Sequence, residues 1–204
     1  MKKFLIVFLI FTIQDITAQI DLTSQELGIE GYFGASNQGG SFGIGPKFGF
    51  ILNENIAIGP SFRIQRNWAN LVYPGSTTQT SQNVYGGGAF AHIRYKSKGK
   101  STVYGAVEFE YLRSPYNYAK ISTGQTTNLE LTSKKWAPTL FIGGGFLIRV
   151  NNVIGINAGI LYDVINADNS PFRSSYFFKQ KNQAGMVTKI YPLIYRLTFL
   201  FKLK

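Results

Sequence analysis

Residues 193–203 read L-I-Y-R-L-T-F-L-F-K-L, and no other stretch constrains the fold of this chain as tightly. The odd positions carry Leu193, Tyr195, Leu197, Phe199, Phe201 and Leu203, while the even positions carry Arg196, Thr198 and Lys202 among two apolar residues. A period of two is that of a β-strand with one apolar and one mostly polar face. A two-faced strand at the end of the sequence, with aromatics facing one way, suits pairing with the first strand to close a barrel. Closure is therefore the expectation against which the rest of the sequence is read.

The same alternation recurs upstream. Residues 27–36 set Leu27, Ile29, Phe33 and Ala35 against Gly28, Glu30, Tyr32 and Gly34, after a short polar lead-in at 21–26. Residues 42–52 set Phe42, Ile44, Phe48, Phe50 and Leu52 against Gly43, Gly45, Lys47 and Gly49. In 56–66 the apolar set is Ile56, Ile58, Phe62 and Ile64, opposite Ala57, Gly59, Ser61, Arg63 and Gln65. Residues 84–95 are ambiguous; placing His92 and Arg94 inward turns Tyr85, Gly87, Ala89, Ala91, Ile93 and Tyr95 outward. Residues 102–113 present Val103, Val107, Phe109 and Tyr111 on one side and Tyr104, Ala106, Glu108 and Glu110 on the other. Strands at 136–150 and 153–163 complete the set, with Thr139, Gly143, Gly145, Arg149, Asn157, Gly159 and Asp163 on their inward faces.

Eight strands of about ten residues form the smallest barrel that crosses a bilayer. The connections alternate accordingly, short at 53–55, 96–101 and 151–152 and long at 67–83, 114–135 and 164–186, as turns at one end and loops at the other. The first connection on the loop side, 37–41, is the short exception. The rival at this strand count is a soluble barrel of the lipocalin kind, with the apolar face inward around a ligand. Volume decides between them. An eight-stranded interior is only just wide enough for side chains, so the face of Gly, Ala, Ser and a few charges fits inside and the face of Phe, Ile and Leu outside. A water-facing exterior also needs dense Lys and Glu, whereas charged residues make up 15% of this chain. The expected fold is an all-β, eight-stranded antiparallel transmembrane β-barrel.

The amino terminus fits export. Lys2 and Lys3 precede an apolar run at 4–13 that is too short to span a bilayer, and Thr17, Ala18 and Gln19 form a small-residue cleavage region, so 1–19 is expected to be a signal peptide and 20–204 the barrel domain. The chain has no cysteine, which excludes disulfides, thiolate metal sites and lipid attachment through a cysteine. Its formal charge of +11 is that of a chain meeting anions; for an exported protein these are lipopolysaccharide phosphates rather than nucleic acid. The localisation expected is the cell outer membrane.

Taken together these residues carry a resemblance. The stretches G-P-K-F-G-F-I-L-N-E-N-I-A-I-G-P-S-F (45–62) and V-Y-G-G-G-A-F (84–90) resemble the small outer-membrane β-barrel family of Gram-negative bacteria, the OmpA/OmpX-like and porin-family barrels. The resemblance is one of pattern and runs from residue 27 to 204. It implies an integral outer-membrane protein whose relatives serve structural and adhesive roles or act as subunits of larger complexes. It departs from the larger members in having no peptidoglycan-binding domain, so tethering to the cell wall is not expected.

The inward faces collect Glu30, Lys47, Arg63, His92, Arg94, Glu108, Glu110, Arg149, Asp163, Arg196 and Lys202. Charges in a narrow lumen must pair or be hydrated, so an interior salt-bridge network centred on Arg63 and Glu108 is expected, in preference to a conducting or proton-relaying path. Catalysis is not expected: His92 lies inward towards the short-turn end, and Gly86, Gly87 and Gly88 have no helix behind them to make a phosphate cradle. No metal-ligand spacing or cofactor motif appears, so no metal site and no cofactor are expected. Trp136, Tyr162, Tyr85 and Tyr111 at one level, and Tyr95 and Phe201 at the other, are candidates for aromatic girdles.

Two features point to partners. The basic set Arg66, Lys120, Lys134, Lys135, Arg173, Lys179, Lys181 and Lys189 suits contacts to lipopolysaccharide phosphates. Gly87, Ala89, Ala91 and Gly105 make a low strip in an otherwise bulky outer wall, a candidate docking groove for a larger membrane protein. The functional expectation is thus a non-enzymatic outer-membrane barrel with a structural or accessory role, the groove admitting it as a subunit of a larger complex. The alternatives are a surface adhesin acting through Tyr116, Tyr118, Phe172, Tyr176, Phe177 and Phe178, and a small-solute channel.

Overall fold

The computed structural model describes residues 22–36, 39–52, 55–73, 76–95, 101–114, 116–118, 129–131, 134–183 and 187–203; the expected signal peptide lies outside them. In chain order the strands are β1 (Leu22–Ser36), β2 (Gly39–Leu52), β3 (Ile56–Tyr73), β4 (Ser76–Tyr95), β5 (Ser101–Arg113), β6 (Tyr116–Tyr118), β7 (Leu129–Leu131), β8 (Trp136–Arg149), β9 (Ile154–Asp163), β10 (Phe178–Lys181), β11 (Val187–Tyr191) and β12 (Leu193–Leu203). A short 3-10 helix, Arg173–Ser175, precedes β10. Eight strands close a barrel in the order β1-β12-β9-β8-β5-β4-β3-β2, all antiparallel, while β6 pairs only with β7 and β10 only with β11. The terminal strand does what its two faces require. It pairs with β1 from Gln25↔Leu203 to Gly31↔Leu197 and with β9 from Leu193↔Tyr162 to Phe201↔Ile154.

The wall is polar inside and apolar outside. Along β5 every second side chain is buried, and the two faces have opposite chemistry: Glu108 and Glu110 are 3% and 1% exposed, whereas Val103, Val107, Phe109 and Tyr111 are 44–50% exposed. The same holds around the circumference, with Phe42, Ile44, Phe62, Ile64, Ile142, Phe146, Ile160, Leu197 and Phe199 all facing out. A continuous apolar band of this extent is incompatible with water as the solvent and matches lipid, which has nothing to offer a polar side chain. The strand at 84–95 faces as its polar residues require, with His92 and Arg94 buried and Ile93 and Tyr95 exposed.

Strand curvature leaves no room for side chains at certain inward positions. A Cβ built on Gly88 would coincide with the Phe109 carbonyl of the neighbouring strand, and one on Gly59 with the Phe48 carbonyl. Glycine lets adjacent backbones approach this closely at these positions.

The structure lengthens several elements beyond the apolar periodicity. Residues 67–83, expected as a loop, continue the ladder from Arg66↔Asn83 without a break to Tyr73↔Ser76, so that β3 and β4 form one tall hairpin. Beyond the bilayer both faces of a ribbon meet water, so alternation of polarity disappears although the strand persists. The lead-in at 21–26 likewise belongs largely to β1, with a register irregularity between Leu22 and Ser24. Within 114–135 the described residues include the β6–β7 pair. Of the segment 164–186, the described residues around 166–176 fold back over the barrel mouth instead of standing away from it.

Candidate functional site: a sealed interior

The lumen is organised in layers. At mid-height three carboxylates meet three cations. Glu30 on β1 accepts from Arg63 Nη2 (2.5 Å) and Arg196 Nη1 (2.6 and 2.8 Å) and forms an ion pair with Lys47 Nζ at 2.8 Å. Glu110 takes the Arg63 guanidinium side-on, through Nε and Nη2, both at 2.9 Å. Glu108 accepts from Lys47 Nζ at 2.7 Å and lies 3.2 Å from Arg196 Nη1. His92 completes this layer: its Nε2 donates to Glu108 at 2.8 Å, and its ring sits between Phe90 and Tyr104 with centroids 4.9 and 5.2 Å away. All these groups are buried. Taking each ion out of water costs several kcal/mol, an expense offset only because every charge here has opposite partners at hydrogen-bond distance and the counts balance. One row nearer the short turns, Arg94 pairs separately with Glu26.

Above the charges sits a plug donated by the chain itself. Phe172, fully buried, lies over the Arg63 guanidinium at 4.9 Å and against Phe141 and Tyr32 in edge-on contacts at 4.9 and 6.0 Å. Arg196 is also covered, by Phe141 at 4.6 Å and by Phe172 at 5.6 Å. A desolvated cation against a ring face is favourable by up to about 2 kcal/mol, so the plug seals the charge layer and is held by it. Val84, Leu112, Leu161 and Ile194 fill the remainder of this upper layer.

Why the segment folds inward follows from its polar residues. Pro171 offers its carbonyl to Asn67 Nδ2 at 3.0 Å and to Gln65 Nε2 at 3.4 Å, both on the inner face of β3. The Asn169 amide nitrogen lies 3.0–3.2 Å from the Ser114, Lys134 and Trp136 carbonyls, and Ser175 Oγ is 2.7 Å from Ser41 Oγ. Asp163, at the end of β9, accepts from Tyr176 Oη (2.8 Å), Ser170 Oγ (3.1 Å) and the Asn166 amide (3.0 Å). Asn166 takes a positive φ of 45°, which a short polar side chain tolerates and which starts the return. Burial, and after it the Asp163 carboxylate, hold the Tyr176 hydroxyl above the ordinary tyrosine range, so it remains a donor.

The inward set named from the sequence therefore divides. Glu30, Lys47, Arg63, His92, Glu108, Glu110 and Arg196 form one cluster, and Arg94 pairs beside it. Asp163 is buried but joins the plug through Tyr176 and Ser170, because it lies one layer above the cations. Arg149 and Lys202 face inward by parity yet are exposed at the short-turn mouth and join no network among the described residues; both stand nearer the strand ends than the mid-height carboxylates, and Glu26 beside them is taken by Arg94. Glu26, Phe172 and the pair Gln65 and Asn67 were not foreseen as interior partners.

On the outer wall, Tyr85, Tyr111 and Trp136 come together, the last two stacked at 5.3 Å and the first edge-on to Trp136 at 6.3 Å, with the Arg113 guanidinium 5.6 Å over Tyr85. Tyr162 and Tyr95 are exposed and Phe201 is half-buried. Of the basic set, Arg66, Lys134, Lys135 and Lys189 are exposed, Arg66 bonding Ser81 and Lys189 lying over Tyr191 at 4.6 Å. Arg173 is instead turned into its own segment, donating to the Ala167 and Asn166 carbonyls at 2.8 and 2.7 Å and lying 3.4 Å from the Asp168 carboxylate. Lys120 lies outside the described residues, and Lys179 and Lys181 fall on β10. Gly87, Ala89, Ala91 and Gly105 all face outward; a Cβ on Gly105 would stand in open space, whereas the Phe62 ring leans over Gly87.

Fold and polarity together define a membrane β-barrel with a closed lumen. No family model matches the chain, and no curated protein matches its sequence. Among solved structures it is similar to the amino-terminal β-barrel domain of Pseudomonas aeruginosa OprF (11% identity, TM-score 0.42, covering 91% of this chain and 100% of that one). It is similar also to the Yersinia pestis outer membrane protein Ail (12%, 0.42, 88% and 99%) and to Neisserial surface protein A (12%, 0.40, 88% and 95%). At these identities and scores the likeness transfers no residue and no role.

Proposed function

We propose that the protein is an integral outer-membrane β-barrel that performs structural or accessory work without catalysis, in contact with the lipid and lipopolysaccharide of that membrane and as a subunit of a larger outer-membrane complex. The observation that carries this reading is the inverted polarity of the wall around a filled lumen: an apolar belt for lipid, and an interior whose mid-height charges are paired with one another. The exposed Arg66, Lys134 and Lys135 at the loop end, beside the Trp136 cluster, suit the headgroup level of an anionic leaflet.

The membrane part is tested by labelling single cysteines placed at Phe109, Ile142 and Lys135 in protein reconstituted with brominated phospholipid. Strong quenching at 109 and 142 by lipid is expected, with weaker quenching at 135. Quenching of 109 and 142 by aqueous iodide instead would refute it. The accessory part is tested by purifying tagged protein from outer membranes in mild detergent and weighing the intact particle; a stoichiometric larger membrane protein is expected, and a lone barrel would remove that half of the proposal.

A second reading rests on Phe177 and Phe178, which are 45% and 53% exposed on the segment that Phe172 and Tyr176 anchor below them. Rigidly displayed aromatics suit a surface-binding role through the loops. Replacing both by Ser abolishes such binding while leaving any wall-mediated complex intact.

A further inference from the structure

The short-turn mouth of the barrel holds a cavity of about 610 Å³ to which all eight wall strands or their turns contribute. Its inner end is formed by the paired Glu26 and Arg94 with Ile51, Leu147 and Leu200, and its rim carries Arg149 and Lys202 among Asn55, Thr102 and Asn151. The charge layer closes it from above, so the cavity is blind. Every charged side chain of the mid-height layer has an opposite partner within 3.5 Å. Arg149 and Lys202 have none among the described residues. Lys202 stands directly across the ladder from Glu26, yet the Glu26 carboxylate is committed to Arg94.

We propose that this mouth is a binding pocket for a small anionic solute, one bearing a phosphate or a carboxylate group. Two inward-facing cations converge on a concave space of the size that holds small ligands, with amide and hydroxyl donors beside them and an apolar floor for the body of the molecule. A rim that served only solubility would point its charges away from the lumen axis, and small barrels ordinarily fill their interior. Here the loop end is filled by the chain and the short-turn end is left for a ligand. The pocket depends on the cavity and its two cations and is independent of any role in a larger complex.

The test uses the barrel in non-ionic detergent micelles at an ionic strength of about 0.15 M, where loosely held surface ions are screened. Pyrophosphate and citrate are titrated separately, with glucose as the neutral control, following heat and the backbone amide shifts of Thr102, Asn151 and Gly155. Saturable binding of at least one anion, with shifts confined to the mouth, is expected. Arg149→Gln and Lys202→Gln should each weaken it about tenfold, while Lys135→Gln at the opposite end leaves it unchanged. Pyrophosphate alone would identify a phosphate site, citrate alone a carboxylate site, and both a general anion pocket. Absence of saturable binding by either probe, or undiminished binding in both rim variants, overturns the proposal; because both residues are exposed, the variants keep the wild-type unfolding transition, which is checked alongside.

Discussion

At the loop end of the barrel the chain fills its own lumen, with Phe172 seated on Arg63 and Arg196; at the short-turn end the same eight strands leave about 610 Å³ open and two cations without an opposite partner among the described residues. The strands alternate equally well at both ends, so alternation does not produce the difference. What differs is the supply of counter-groups. Among the described residues the upper half receives Glu30, Glu108, Glu110, Asp163 and a returning segment, and the lower half receives Glu26, which Arg94 takes. A charge in a narrow barrel becomes part of the structure when the fold brings it a partner and stays available to a solute when it does not.

The sharpest way to break this contrast is Glu30→Ala. It leaves Lys47, Arg63 and Arg196 without a shared acceptor and should cost about 3–5 kcal/mol in chemical unfolding from micelles. A loss near zero would mean that the upper lumen is as hydrated as the lower. Phe172→Ala removes the lid from the same charges; a cost of about 3 kcal/mol and faster proteolysis within 164–192 are expected, measured by unfolding and limited digestion. Inward and outward glycines offer an intermediate contrast. Gly88→Val collides with the Phe109 carbonyl and should cost about 1–3 kcal/mol, while Gly105→Val on the open outer wall should stay within about 0.5 kcal/mol. Smallest of all, Arg149→Gln and Lys202→Gln should each change stability by less than about 0.5 kcal/mol in the same assay, since nothing in the fold depends on them.

Much of the barrel was legible because a membrane wall imposes a strict two-residue rule. Residues 193–203 disclosed both the strand and its closure, and inward placement of Arg63, Glu108 and Arg196 followed from parity alone. Parity says nothing about height, however, which is why Arg149 and Lys202, nearer the mouth, were grouped with a network they do not join. It is equally silent where no face meets lipid. Residues 67–73 and 76–83 read as a loop for that reason and are strand. Phe172 and Tyr176 were assigned to an exposed aromatic loop, although Asn169, Ser170 and Pro171 beside them carry the groups that tie the segment to β3, β8 and Asp163.

The central claim, a lipid-embedded barrel whose upper lumen is sealed by its own chain, meets its most direct test in single-molecule conductance across a planar bilayer. Wild-type protein, inserted and verified as folded, should give no stepwise conductance, and the combined Glu30→Ala and Phe172→Ala variant should give small steps as the charge layer and its lid are lost together. Uniform, persistent steps from the wild type would contradict the account.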